Sequence, residues 1–267
     1  MIANRKAPTS ASTRFGVALL VLGGVSLVVS ILYTYSILAF IGLGLVFWGM
    51  LFSLLKPVRQ TSVTVLEGTA LSSYLTIDRI IKSLKYIGKA YYIPPYPKDV
   101  YLPDHLKGLK DVVIFFSAES NTEMPSIVEM AEGRFFTEKS KGAMVIPPGA
   151  GLLEIVEKKS NVDFSGMNLE NLCDTLAYSI ANEYNLAQEV EMSKKGNQVL
   201  LRVRDSVYKG LYGRENNIKS ISVIGCPLAS AVACALAKAS AQAIAIEKLK
   251  VSSDGMMIEV VYSLVRG

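Results

Sequence analysis

The chemistry-bearing residue that stands out in this chain is Cys226, with the helix it opens. "GCPLASAVACALAKAS", Gly225 to Ser240, sets a thiol directly before Pro227 and a run of small residues. Proline fits the first helical turn, where its missing N–H costs nothing, so Cys226 stands at a helix N-terminus. Free N–H groups and the helix dipole there can favour a thiolate. The bland alternative, and the commoner fate of such a residue, is a buried thiol acting as a small hydrophobe. Cys173 and Cys234 fall inside helical patterns and read as core. The three cysteines show no CxxC or CxH spacing, which argues against a disulfide framework and a zinc site.

Other candidates are thinner. His105 is the single histidine, so a Ser-His-Asp or Cys-His mechanism would have to use it. No G-x-S-x-G elbow exists to meet it. "MVIPPGAGLLEIVEK" has the strand, Gly-x-Gly, helix order of a phosphate loop, but Glu154 stands where the fingerprint needs a third glycine and no Gly-Lys-Ser/Thr follows. It reads as a turn that starts a helix. Glu119, Glu123, Glu129 and Glu132 lack a D-x-D-x-D-G order and read as a solvated connection. The expectation is no catalytic set, no metal site and no cofactor.

The elements around Cys226 decide what it can be. From Pro227 to about Ser240 a helix rises about 20 Å, too short to cross a bilayer. Leu228, Val232 and Leu236 form an i, i+4, i+8 stripe, and alanines wrap the other faces. Such a helix either packs closely on every side or walls an apolar pocket. In the second case Cys226, Leu228 and Val232 are the ligand-binding candidates.

Around it the pattern predicts an α+β domain. "TSVTVLEG" reads as a short strand and "ALSSYLTIDRIIKSLKYIG" as a helix carrying Tyr74, Ile77, Ile81 and Leu84, capped by Gly88. "KAYYIPP", "DVVIFFSA", "GRFFTE" and "GAMVI" read as strands. A helix follows with Leu152, Ile155 and Val156 on its face, then another with Asn168 as N-cap and Leu169, Leu172, Leu176 and Ile180 in a stripe. "AQEVEMSKKGNQVLLRVRD" is a hairpin turning at "KKGN", and "AIAIEKLKV…MMIEVVYSL" a second one turning at "SSDG". "GKAYYIPP" and "GAMVIPP" echo one another, which shared turn chemistry explains without a duplicated domain.

At the other end, Phe15 to Leu55 is 41 residues without a charge. One helix of that length would run about 60 Å, twice the hydrocarbon core of about 30 Å, so the chain must turn. "YTYS", Tyr33 to Ser36, is the polar point, and its tyrosines suit the headgroup layer. The division is a tail over 1–14, a transmembrane hairpin over 15–55 (spans 15–32 and 37–55), and a cytoplasmic domain over 60–267 with a sub-boundary near 147. Arg5, Lys6, Arg14, Lys56 and Arg59 flank the hairpin, which puts both termini in the cytoplasm. Ser26 and Ser30, with Gly42, Gly44 and Gly49, permit close helix packing within the hairpin or between copies. No charge lies inside the spans to carry ions.

Those five charges also settle the electrostatics. The chain has 28 basic and 23 acidic residues, and residues 1–59 hold five of the basic ones and no acid, leaving 60–267 formally neutral. That domain has no excess positive charge for nucleic acid.

"GCPLASAVACALAKAS…AIAIEKLKVSSDGMMIEVVYSL", a small-residue helix leading into two antiparallel strands, resembles the C-terminal part of vinyl-reductase-type ligand-binding domains and of TRAPP vesicle-tethering subunits. "VDFSGMNLENLCDTLAYSI" and its hairpin resemble the preceding helix and strands, so the likeness spans Pro147 to Arg266. The two-helix hairpin before such a domain is similar to uncharacterised archaeal membrane proteins. The resemblance implies a pocket for an apolar small molecule or acyl chain. The chain lacks the Cys-containing, metal-like ending of some vinyl-reductase domains, which argues against a metal or redox role. The expectation is a multi-pass cell-membrane protein that binds or scaffolds, partnered by the bilayer and by an apolar ligand or a protein. The alternatives are an enzyme acting on a lipid or other membrane-proximal substrate, and a structural subunit of a membrane complex.

Overall fold

The computed structural model describes residues 11–33, 35–54, 63–85, 89–95, 111–117, 125, 129–130, 136–137, 141–213 and 218–265. The chain divides into two compact units, Met1–Thr61 and Ser62–Gly267.

In the first unit, helices α1 (Ala11–Tyr33) and α2 (Ser36–Leu54) pack side by side. Glycine sets their spacing: a Cβ on Gly23 would fall 2.8 Å from Val46, and one on Gly49 would fall 2.8 Å from the backbone of Leu20. Ser26 donates to the Leu38 carbonyl at 3.1 Å and Ser30 to the Tyr35 carbonyl at 2.8 Å. Both serines, with Gly42 and Gly49, therefore serve contacts inside the hairpin, whereas Gly44 faces open space. Two helical segments are long and apolar enough to cross a membrane, Gly16–Tyr33 and Lys219–Ser240. The second is buried almost throughout the other unit, so its composition is that of a protein core. Ser36–Phe52 is a shorter apolar helix.

The second unit is α+β. Its strands are β1 (Ala90–Ile93), β2 (Val113–Ser117), β3 (Phe136–Thr137), β4 (Gly142–Val145), β5 (Glu189–Lys195), β6 (Gln198–Arg204), β7 (Ala243–Val251) and β8 (Met257–Val265). They form one sheet in the order β3-β4-β2-β1-β7-β8-β6-β5, with antiparallel neighbours throughout. Gly196 and Gly255 adopt positive φ in the β5–β6 and β7–β8 turns, as tight hairpins require. Alternation divides the two faces, interrupted in β7 by a register shift between Ile246 and Lys248. Tyr92, Ile114, Val145, Val260 and Tyr262 point into the main core under the helices. Ile93, Phe115 and Met144 form a second apolar cluster on the opposite face.

Helix α3 (Val63–Ser83) corrects the reading of "TSVTVLEG" as a strand: Val63 onward is helical. The alternation of Thr and Val over four residues is local. The stripe Leu66, Ala70, Tyr74, Ile77, Ile81 continues the helical period and packs on the core, and that burial outweighs β-propensity. Gly88, expected as its cap, lies outside the described residues.

Helices α4 (Ala150–Ser160), α5 (Leu169–Tyr178), α6 (Lys219–Ile224) and α7 (Pro227–Ser240) complete the helical layer. Asn168 caps α5 by accepting from the Glu170 N–H at 3.0 Å, and the helix runs on as a π turn over Ser179–Glu183. On α4 the expected face is corrected. Leu153 and Val156 are buried and Leu152 is partly so, but Ile155 is 56% exposed. Leu152, Leu153, Ile155 and Val156 offer two overlapping stripes. Gly149, pressed against α7, selects the one that continues i, i+4, i+7 through Leu153 and Val156. Helix α7 is the innermost element, with Leu228, Val232 and Leu236 buried and the alanines on its other faces buried too.

Candidate functional site

The polar centre of the domain is the break between α6 and α7. Gly225 ends α6 at φ 70°, and Pro227, lacking an N–H, begins α7. Carbonyls at such a helix end lose their intrahelical donors and must find others. Tyrosine hydroxyls supply them: Tyr92 donates to the Ile224 carbonyl at 2.7 Å and Tyr74 to Gly225 at 2.8 Å. Tyr262 donates to Ala229 at 2.9 Å, and Tyr212 accepts from the Cys226 N–H at 2.9 Å. Ser230 hydrogen-bonds the Tyr92 hydroxyl and accepts from the Gly149 N–H at 3.1 Å. The four tyrosines come from α3, β1, β8 and the 3₁₀ turn Lys209–Tyr212. Each element is thus tied to the same six-residue stretch, Ile224 to Ala229.

Burial pushes the hydroxyls of Tyr74, Tyr92, Tyr212 and Tyr262 well above the ordinary tyrosine range. They are neutral hydroxyls, not phenolate bases. The same holds for sulfur. Burial raises the Cys226 thiol, although Tyr212 and the Ala229 and Leu228 N–H groups pull it back in part. Burial also raises Cys234 and, with Asp174 beside it, Cys173. The expected ligand contacts Cys226, Leu228 and Val232 are no more than 1% exposed. A protonated, enclosed thiol is a poor nucleophile. The arrangement holds two helices and the sheet together. Replacing Tyr92 by phenylalanine leaves the Ile224 carbonyl without its donor, and the expected cost is about 1–3 kcal/mol in urea denaturation. A change under about 0.5 kcal/mol would show that the hydroxyl is dispensable.

The remaining candidates are dispersed. His105, Glu119, Glu123 and Glu132 lie outside the described residues, and Glu129 begins the described pair 129–130. No group of three or more His, Cys, Asp or Glu among the described residues could hold a metal. At the Gly-x-Gly turn, a Cβ on Gly149 would lie 2.0 Å from the Ala231 nitrogen, so α7 occupies the space a phosphate would need.

One surface feature escaped the sequence reading. On the outer face of β5, β6 and β8 an open groove is lined by Glu189, Glu191, Arg202, Arg204, Met257 and Glu259. The register places Glu191, Arg202, Glu259 and Lys250 side by side across four strands, in alternating charge. Arg202 pairs with Glu259 at 2.9 Å and Glu191 at 4.0 Å, and Arg204 with Glu189 at 3.8 Å. The alternation that produces this row is visible in both hairpin sequences, but only the strand order β5-β6-β8-β7 aligns it.

A family described as "Domain of unknown function (DUF7982)" matches residues 3–262. The chain belongs to this family. The match runs through both the hairpin and the sheet domain. No curated protein and no solved structure matches the chain.

Proposed function

We propose that this DUF7982 protein is a membrane-anchored binding or scaffolding protein, with α1 and α2 in the bilayer, both termini cytoplasmic, and the sheet domain held at the membrane surface. The observation that carries the reading is the surface of the hairpin. Val21, Leu22, Ile31, Phe40, Leu43 and Phe47 are each at least 60% exposed, within 41 residues that contain no charge. A continuous apolar surface of this kind needs a cover, and hydrocarbon provides it. Tyr33 and Tyr35 at the bend suit the headgroup layer.

Binding is favoured over catalysis because the buried hydroxyls and thiols are neutral and already committed to holding the fold. A protein partner is favoured over an apolar ligand. Cys226, Leu228 and Val232 have no free surface, whereas the charged outer face of the sheet does.

The test uses the full chain in its membrane. Alkaline carbonate washing is expected to leave it in the pellet. Tyr35→Cys should react with an impermeant thiol reagent in intact cells, and Ser253→Cys only after permeabilisation. The native cysteines are buried and give little background. Release by carbonate would remove the anchor, and the reverse labelling pattern would invert the topology.

A further inference from the structure

We infer that strand β5 is a self-association edge, at which two copies of this chain pair antiparallel about Met192. The strand ends the sheet: one side of Glu189–Lys195 is hydrogen-bonded to β6, and no described strand lies on the other. Its backbone donors and acceptors on that side are a template for another strand. Five of its seven residues are exposed and Val190 and Met192 are partly buried, so apolar surface reaches the edge.

The order of charges identifies the occupant. "EVEMSKK" is acidic in its first half and basic in its second. Charges of one sign along an edge would repel a copy in every register, which is the usual protective device. Here the polarity makes the edge complementary to itself. Antiparallel pairing centred on Met192 uses all seven residues. It sets Glu189 opposite Lys195 of the second copy, Glu191 opposite Ser193, and the two Met192 side chains together. A two-fold axis normal to the sheet keeps faces matched, so the two Met192 side chains meet on the helix side, flanked by Val190 against the aliphatic stem of Lys194, while Glu189 and Lys195 meet on the outer face. Parallel pairing would stack Glu on Glu and Lys on Lys, which is unfavourable across strands. An opposed cross-strand charge pair is favourable, and here symmetry supplies the Glu189–Lys195 pair twice.

The experiment uses the full chain in detergent micelles. Residues directly opposite in an antiparallel pair have Cα atoms about 4.5–5.5 Å apart, within disulfide reach. Met192→Cys should therefore give a band of doubled mass under mild oxidation. Val190→Cys should not, because its two copies would stand roughly 14 Å apart, at four residues of strand rise. In sedimentation at equal protein concentration, Glu189→Lys and Lys195→Glu should each weaken dimerisation at least tenfold, and the double exchange should restore it. Recovery in the double variant separates edge pairing from loss of the Glu189–Arg204 ion pair, which the exchange does not rebuild. A monomer at all concentrations, a dimer indifferent to both reversals, or equal cross-linking at residues 190 and 192 would overturn the assignment. The last two results would place association elsewhere, on the hairpin for example.

Discussion

Gly149→Ala is expected to destabilise the sheet domain by about 3 kcal/mol, at the upper end of what overpacking a core costs. The reason lies in the backbone of α7. A Cβ at residue 149 would stand 2.0 Å from the Ala231 nitrogen and 2.5 Å from both the Pro227 oxygen and the Ser230 carbonyl carbon. None of these is the end of a flexible side chain, so α4 and α7 must move apart. That movement would also stretch the hydrogen bond from the Gly149 N–H to Ser230 and, through Ser230, disturb Tyr92. Gly151, two residues on, is the control. A Cβ there meets nothing within 4 Å, and it lies inside α4, where alanine is favoured by roughly 0.5–1 kcal/mol. Urea denaturation followed by circular dichroism should therefore move in opposite directions for the two variants. A loss below about 1 kcal/mol at 149 would show that the two helices separate easily, and that the small residues of α7 mark a compliant wall rather than close packing.

How much of this was legible depended on the distance over which each feature is specified. Features fixed within a few residues could be read. Asn168 directly before the stripe that begins at Leu169 marks the start of α5, Pro227 marks the start of α7, and Asp254-Gly255 marks the last turn. The i, i+4 stripe Leu228, Val232, Leu236 lies in the core as its spacing predicts. Features requiring a choice between two local patterns were not reliably legible. Val63 to Glu67 satisfies both a strand alternation and the first turn of a longer helical stripe. Only the core beneath Leu66 and Ala70, with Glu67 accepting the Gly210 N–H at 2.7 Å, decides for the helix. On α4, apolar residues at 152, 153, 155 and 156 leave the buried face undetermined until Gly149 meets α7. The tyrosine network was out of reach for a different reason. Tyr74 and Gly225 are 151 residues apart, and Tyr92 and Ile224 are 132 apart. Each tyrosine alone reads as an ordinary apolar position in its element. Nothing in the sequence around Ile224 or Gly225 names the donors their carbonyls receive. The charged row on the outer face is hidden in the same way, because Glu191, Arg202, Glu259 and Lys250 become neighbours only when two hairpins pair.

Lys238→Met should cost about 2–3 kcal/mol, less than the 3–5 kcal/mol of a fully buried broken ion pair because some solvent reaches it. Lys238 sits in the last turn of α7, where a cation also suits the helix dipole. Its ammonium lies 2.6 and 2.8 Å from the two Glu157 oxygens and 3.3 Å from Asp163, and the Lys238 and Glu157 side chains are only 14% and 17% exposed. Glu157 also accepts the Phe164 N–H at 3.2 Å, so one carboxylate fixes α4, the loop that follows it, and the end of α7. Removing the lysine takes its cation from the largely buried Glu157 and the half-exposed Asp163, whereas methionine keeps most of the side-chain volume, so the loss is electrostatic. Glu157→Gln should cost less, about 1–2 kcal/mol, because the amide oxygen can still accept from Phe164 and Lys238 retains Asp163. The double variant should be more stable than the sum of the two losses predicts, with a coupling of about 1–2 kcal/mol in a double-mutant cycle by urea denaturation. Simple additivity would mean that the two residues act independently and that α7 is held at this end by packing alone. A measured coupling would mean that α7 is fixed at both ends by different chemistry, by neutral tyrosine hydroxyls around Cys226 and by paired charge at Lys238. The small residues between those two anchors can then pack closely because neither end of the helix is free to move.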